Sequence, residues 1–392
     1  VSLAIGFFTD SYRPYTSGVV RSIETFTAHL RRLGHRVYIF APRYPNAPPE
    51  EGVFRFASVP AVTQRDFRLA LPLSLSLGNT VRRLKLDLIH VHSPFLLGSL
   101  GADAARRHGL PLVFTYHTLY DQYVHYVPFF PELSRRVVRQ YTRRFCNRCD
   151  LVITPTTQIA DLLRRQGVTA PLAVVPTGIE LERFRRGDRN RLRQRYTLPP
   201  EAKILLYVGR LGREKNLPFL LKSFARLRRL AGLPPLRLVL VGGGNAEEET
   251  KRLAAELGVA EETVFTGTLP PEEVVHCYAG ADLFVFASVT ETQGVVLAEA
   301  KAAGLPVVAV DAAGVRDMVN SGVDGYLTAL NLEEFTARVA ELVSDESRRA
   351  AMARQTQVTV EEFSAERTAQ RLAEHYQRLI SGASVALLRR PG

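Results

Sequence analysis

Short apolar runs alternate with helix-length amphipathic stretches along nearly the whole chain, and they do so in two series. LAIGFF, SGVVRSIETFTAHLRRLG and HRVYIFAP read in turn as strand, helix and strand. Further strand candidates follow at LDLIHVH (86–92), LPLVFTYH (110–117), DLVITP (150–155) and LAVVPTG (172–178). A second series runs through KILLYVG (203–209), RLVLVGG (237–243), TVFTG (263–267), DLFVFAS (282–288) and PVVAV (306–310). Strands this uniformly apolar need cover on both faces, which means parallel sheets with helices on either side. A chain of 392 residues also exceeds what one core ordinarily serves. The expected class is therefore α/β, with two doubly wound domains, 1–185 and 200–360, facing each other across a cleft. The charged connection ELERFRRGDRNRLRQRYTLPPEA separates them, and a helix-patterned tail, 361–392, is expected to cross back to the first domain.

Several classes fall away at this point. No apolar run reaches the length of about 18 residues that a membrane-spanning helix needs. The opening VSLAIGFFTDSY lacks a basic leader and reads as a first strand rather than a signal peptide. Three cysteines suit a reducing, cytoplasmic compartment better than a disulfide framework. The net charge of +12 is lopsided: residues 1–190 carry 26 Lys and Arg against 14 Asp and Glu, while the remainder balances at 25 against 25. A basic first half suggests an anionic partner, either a membrane surface or a phosphate-rich polymer.

In open α/β sheets ligands bind beyond the carboxyl ends of the strands, so the residues that follow each strand matter most. SVTETQGVVLAEAKAAGLPVVAV (288–310) places Glu291 in such a loop and Glu299 about two turns into the next helix, with Gly294 between them. Free amides at that helix start attract phosphate, whereas carboxylates accept hydrogen bonds from vicinal hydroxyls. A ligand that is anionic in the middle and hydroxylated at both ends, as a nucleotide sugar is, fits that pattern. YVGRLGREKNLPFLL (207–221) adds Arg210 and Lys215 after the first strand of the second domain, two cations suited to a diphosphate, and VGGGN (241–245) adds a glycine turn. In the first domain Gly18 opens the first helix, while Asp10 and His117 end strands and could meet a sugar or acceptor hydroxyl.

VGRLGREKN, the E-x7-E segment ETQGVVLAEA, the GVV after the first strand and the GVDGYL turn together resemble the retaining GT-B glycosyltransferases of the family 4 type. The likeness covers nearly the whole chain. It implies two Rossmann-like domains, a nucleotide-sugar donor held mainly by the second, and no cofactor or metal, consistent with the absence of a D-x-D triplet. By the same resemblance Arg210 and Lys215 meet the diphosphate, Glu299 the ribose and Glu291 the hexose. Gly18, Gly243, Thr292, Gln293 and Gly294 lie beside the donor, and His117 beside the transferred sugar. Asp10 and Tyr120 are placed toward the acceptor. The catalytic set is then His117, Arg210, Lys215 and Glu291, acting with retention by a front-face route.

FTDSYRPYTSGVVRSI, IHVHSPFLLG, FTYHTLYDQYVHYVP and ETQG are similar to bacterial diacylglycerol glucosyltransferases, which implies UDP-glucose as donor and a lipid acceptor. Two positions depart from the commoner family pattern: Gln293 stands where many members have Phe, and Thr177 where Asn is usual. A GDP-mannose-dependent mannosyltransferase and a sugar-nucleotide epimerase of the same fold are the competing readings.

PELSRRVVRQYTRRFCNRC (131–149) is basic and amphipathic at helical period: Arg135, Arg136, Arg139 and Arg143 gather opposite Val137, Val138, Tyr141 and Phe145. Such a helix can lie on anionic headgroups, which would put the protein at the inner face of the cell membrane. The alternating leucines at 69, 71, 73, 75 and 77, behind Arg65 and Arg68, form a second candidate surface. Nucleic acid is not expected as the partner, because aromatic residues do not interleave with the arginines and no RNA-binding or zinc-finger signature occurs. Cys146 and Cys149 end a helix rather than begin one, so their C-x-x-C reads as structural. His90 and His92 share one strand face near the expected site, without enough further ligands for a metal.

Overall fold

The computed structural model describes residues 1–45, 47–61, 67–72, 76–120 and 131–388. It divides into two compact units, residues 1–178 with 365–392, and residues 179–364.

The first unit contains β1 (Ala4–Phe8), β2 (Arg36–Pro42), β3 (Val53–Phe56), β4 (Ser58–Pro60), β5 (Arg68–Ala70), β6 (Leu88–Val91), β7 (Leu112–Thr115), β8 (Leu151–Thr154) and β9 (Leu172–Val174). Seven of these form a parallel sheet in the order β3-β2-β1-β6-β7-β8-β9. β4 and β5 pair antiparallel as a separate two-stranded sheet. Every residue of β1, β6, β7 and β8 is buried, as expected for strands covered on both faces. Val20, Ile23, Phe26 and Leu30 of the helix Gly18–Arg32 cover one face, together with Ala369, Leu372, Ala373 and Tyr376 of the tail helix Ala365–Leu388.

The second unit contains β10 (Lys203–Val208), β11 (Leu236–Val241), β12 (Thr263–Gly267), β13 (Leu283–Phe286), β14 (Val307–Val310) and β15 (Gly325–Thr328), a parallel sheet ordered β12-β11-β10-β13-β14-β15. Residues 179–185 belong here rather than to the first unit, because Leu181 and Phe184 lie in this core. β3, β4, β5 and β15 were not among the expected strands. They are three or four residues long and too mixed in polarity to stand out as apolar runs.

Both sheets reverse their winding once, beside β1 in the first and beside β10 in the second. At such a point two neighbouring strands send their following loops to opposite sides, and the crevice left between the loops is where ligands of these folds bind. The loops in question follow β1 and β6 in one unit, and β10 and β13 in the other.

Candidate active site

In the second unit the loops after β10 and β13 bring four charged side chains together as two ion pairs. Lys215 Nζ lies 2.5 Å from Glu291 Oε1, both side chains more than four-fifths buried. Arg210 pairs with Glu214 one turn away. The backbone is fixed by cross-links: Ser288 Oγ donates to the Glu214 carbonyl at 3.3 Å, and Asn216 Nδ2 to that of Ala287 at 3.4 Å. Tyr207 Oη donates to the Arg210 carbonyl at 3.1 Å, and burial near Glu291 and Glu214 pushes its phenol pKa up, so it remains a donor. Gly314, at φ 78°, passes under Glu291, and a Cβ there would come within 2.3 Å of the Glu291 carbonyl oxygen. No other residue takes that backbone conformation and leaves the room.

Gly294 is the left-handed residue that starts the helix Val295–Ala302, with Thr292 and Gln293 ahead of it and Gln293 buried. Glu299 is carried on the second turn of that helix; it is buried, and its Oε2 accepts a hydrogen bond from Tyr278 Oη at 2.8 Å. Gly243 packs its turn onto the loop after β10, accepting from Leu211 N at 3.0 Å. The spacing thus brings Arg210, Lys215 and Glu291 to one reversal point, with Gly243 and Gly294 on the flanking turns.

The first unit holds a separate polar group. Asp10 Oδ1 accepts from Leu97 N at 2.7 Å, and Oδ2 accepts from Ser93 Oγ. Burial pushes the Asp10 carboxyl pKa up, while these bonds pull it down. Both oxygens already have partners, so Asp10 ties the loops after β1 and β6 to the helix Leu96–His108. Gly18 opens its helix behind Ser17, whose side chain accepts from Val20 N. Thr177 is buried and donates to Ser22 Oγ at 2.9 Å, which gives the hydroxyl at this atypical position a structural partner. The Tyr120 ring packs edge-on against Phe95 and Tyr116 at 5.2 and 5.5 Å, and its phenol pKa is raised by burial.

His90, His92 and His117 form a stack with ring centroids 4.4 and 5.2 Å apart. His90 bonds to Tyr376 Oη at 2.5 Å and to Thr115 Oγ1 at 2.7 Å, and His92 Nδ1 bonds to His117 Nε2 at 2.9 Å. Burial lowers all three pKa values, that of His117 to about 3. His117 is therefore neutral at physiological pH. The linkage has a definite sign: the folded state holds fewer protons than the unfolded one below the ordinary histidine value of 6.5, so stability falls as pH drops through that value toward 3. Urea unfolding at pH 7.5 and pH 6 should show a loss of about 2 kcal/mol, summed over three groups that each charge on unfolding. His92→Phe, with one titrating group fewer, should lose less.

The helix Pro131–Cys146 leaves Arg135, Arg136, Arg139, Arg143 and Arg144 exposed, and also exposes Val137 and Tyr141. Of the expected apolar face, Phe145 is buried and Tyr141 stacks on the exposed Phe95 at 5.6 Å. Leu69 and Leu71 are exposed and Leu77 is buried, while Leu73 and Leu75 lie outside the described residues, as does Arg65. Cys146, Cys149 and Cys277 are free and buried, and burial pushes the Cys146 and Cys277 thiols up to about 12.

Sequence reasoning missed Glu214, whose i, i+4 spacing to Arg210 was a usable signal. It also missed the link from His92 to His117 and a buried ion pair, Lys301 with Asp324, at 2.7 Å.

Comparison with known proteins bears on the family and the fold. Residues 16–183 match the family described as Glycosyltransferase Family 4, and residues 188–359 match Glycosyl transferases group 1. An alpha-monoglucosyldiacylglycerol synthase of Streptococcus pneumoniae is 35% identical over 314 residues, 78% of this chain and 71% of that one. A GDP-mannose-dependent alpha-mannosyltransferase of Mycobacterium tuberculosis is 32% identical over 90% of this chain and 91% of its own. Among solved structures, Anabaena HepE in complex with UDP superposes with a TM-score of 0.77 at 22% identity, covering 96% of this chain and 100% of that one. Two parallel sheets, each with one reversal of winding, together with these matches in both halves, make the chain a member of the GT-B glycosyltransferases.

Proposed function

We propose that the protein is a retaining hexosyltransferase that moves glucose from UDP-glucose to a hydroxyl of diacylglycerol or a glycolipid at the inner face of the cell membrane. The observation that carries this reading is the meeting of Arg210, Lys215 and Glu291 at the reversal point of the second sheet. In this reading the bond from the anomeric carbon to the diphosphate breaks while Arg210 and Lys215 offset the charge that develops on the leaving oxygen. The acceptor hydroxyl attacks from the same face, and its proton passes to the departing phosphate oxygen. Glu291 and Glu299 take hexose and ribose hydroxyls, and Gly18, Gly243, Thr292, Gln293 and Gly294 line the donor. His117, held neutral, offers a hydrogen bond to the sugar rather than a charge. Asp10 and Tyr120 shape the acceptor side through the loops they pack.

The relative named for monoglucosyldiacylglycerol supports glucose and a lipid acceptor. The mannosyltransferase relative supports a second reading, GDP-mannose as donor. A panel of radiolabelled UDP- and GDP-sugars offered with mixed lipid vesicles decides between them. Label should enter the lipid fraction from UDP-glucose; entry from GDP-mannose alone would establish the second reading. Conversion of a sugar nucleotide without any acceptor would instead identify an epimerase.

The exposed arginines of 131–146, beside exposed Val137 and Tyr141, support contact with an anionic surface. Each cation near such a surface contributes about 1 kcal/mol. Arg136→Gln with Arg143→Gln should weaken binding to phosphatidylglycerol vesicles by roughly 30-fold in a sedimentation assay. Equal binding by the double variant would remove this helix from the membrane surface.

A further inference from the structure

Arg210 and Lys215 are the two cations assigned above to the diphosphate, and each is paired with a carboxylate. Glu291, on Lys215, has its own place in that reading as a partner of the hexose. Glu214, on Arg210, has none. It sits in the short 3-10 turn Arg213–Lys215, between the two cations in sequence, with its carbonyl fixed by Ser288 Oγ and its side chain less than a quarter exposed.

We infer that Glu214 is a built-in stand-in for the donor's phosphate: it pairs with Arg210 and must give the guanidinium up when a nucleoside diphosphate binds. The inference rests on the donor reading for Arg210.

Two features set this pair apart from an incidental surface contact. Arg210 is half-exposed and its partner comes from its own loop, so the pair can open without disturbing the core. Gly212 makes room for the carboxylate: a Cβ on residue 212 would lie 2.5 and 2.6 Å from the two oxygens of Glu214. Residue 212 has an extended backbone, φ −116° and ψ 157°, that any residue adopts. The glycine is therefore required by the carboxylate's position and not by the turn. The carboxylate is also the far end of a flexible side chain, which an added methyl would push aside at small cost.

Competition of this kind has a measurable size. An exposed ion pair contributes up to about 1 kcal/mol, so its loss on binding lowers affinity by roughly three- to five-fold. Glu214→Gln removes the charge and keeps the shape. Gly212→Ala keeps the charge and displaces it. Both should tighten UDP, with GDP run in parallel, by roughly three- to five-fold in calorimetry, and both should lower the donor KM by a similar factor. Uridine and guanosine, which carry no phosphate, should bind the variants and the parent alike. A merely structural role for Glu214 would move nucleoside and nucleoside diphosphate together.

Arg210→Ala completes the test. If it weakens the diphosphate while Glu214→Gln weakens it too or leaves it unchanged, Glu214 orients Arg210 or does nothing, and the inference is overturned with the donor reading intact. If Arg210→Ala leaves diphosphate affinity unaltered, the donor reading of Arg210 fails, and the stand-in fails with it. Thermal melting of each variant confirms that affinity is compared between folded proteins.

Discussion

Lys215→Ala is expected to cut transfer by 10²- to 10³-fold while the protein stays folded. The magnitude is that of removing one fixed charge or donor aimed at the group that becomes negative in the transition state, about 3–4 kcal/mol. The lysine suits that task because its ammonium is largely withdrawn from water, 19% exposed, and lies on the reversal loop of the second sheet. Its ammonium pairs with Glu291 at 2.5 Å, so the substitution also removes that carboxylate's counter-charge. The two effects separate in a double-mutant cycle. If Lys215 acts on the leaving diphosphate and Glu291 on the hexose, Glu291→Gln costs turnover by itself, and the double variant falls short of the product of the single losses because the two side chains touch. Full additivity would mean that the observed ion pair is irrelevant to the reaction. Turnover within five-fold of the parent in Lys215→Ala would remove the lysine from the chemistry altogether.

The same loop balances its own charge. Arg210 and Lys215 would repel each other and the amide dipoles at the helix start; Glu214 and Glu291 neutralise them. On the reading proposed above, the donor's phosphates would take Arg210 and Lys215 over from these carboxylates rather than neutralise bare cations. Binding on these terms is an exchange of partners, which favours release of the nucleoside diphosphate after transfer.

How much of this was legible in the sequence follows from which interactions are local. Apolar strand runs announce themselves, so β1, β6, β7, β8 and the strands β10, β11, β13 and β14 of the second sheet were readable. Ligands bind where those strands end, and Arg210, Lys215 and Glu291 could be placed by position alone. The pair β4–β5 could not, because SVP and RLA are three residues each and too mixed in polarity to show a period. The sequence places Asp10 at a strand end but does not show that its oxygens meet Leu97 N and Ser93, 87 and 83 residues away. His92 was noticed and left without a role, because its partner His117 is 25 residues distant on the next strand. Residue types name candidate chemistry, but a partner across the sheet decides whether a polar group faces a ligand or its own neighbours.

Lys301 is the sharpest case of a residue whose sequence setting conceals its importance, and its replacement is expected to be the largest loss of stability among these variants. In AEAKAAG it reads as an ordinary helical lysine, yet its side chain and that of Asp324 are both fully buried, 2.7 Å apart. Lys301 also donates to the Met318 carbonyl at 3.0 Å and lies 5.4 Å from the centre of the Phe363 ring. Asp324 accepts from Asn320 N at 2.8 Å and from Thr359 Oγ1 at 2.6 Å. The pair thus joins the helix Val295–Ala302, the turn before β15 and the segment that leads to the tail helix. Breaking one side of such a pair leaves a buried charge unmatched and costs about 3–5 kcal/mol. For a unit of this size that corresponds to a fall in melting temperature of roughly 10 °C. Asp324→Ala should reach that loss in calorimetry. Lys301→Met should lose as much, because Asp324 keeps its two neutral donors but not its counter-charge. Combining Lys301→Met with Asp324→Asn removes both charges and should restore part of the stability, since a buried pair contributes little over a well-packed neutral one. A double variant no more stable than the worse single one would mean that the geometry of the hydrogen bonds, rather than the matching of charge, holds this turn in place.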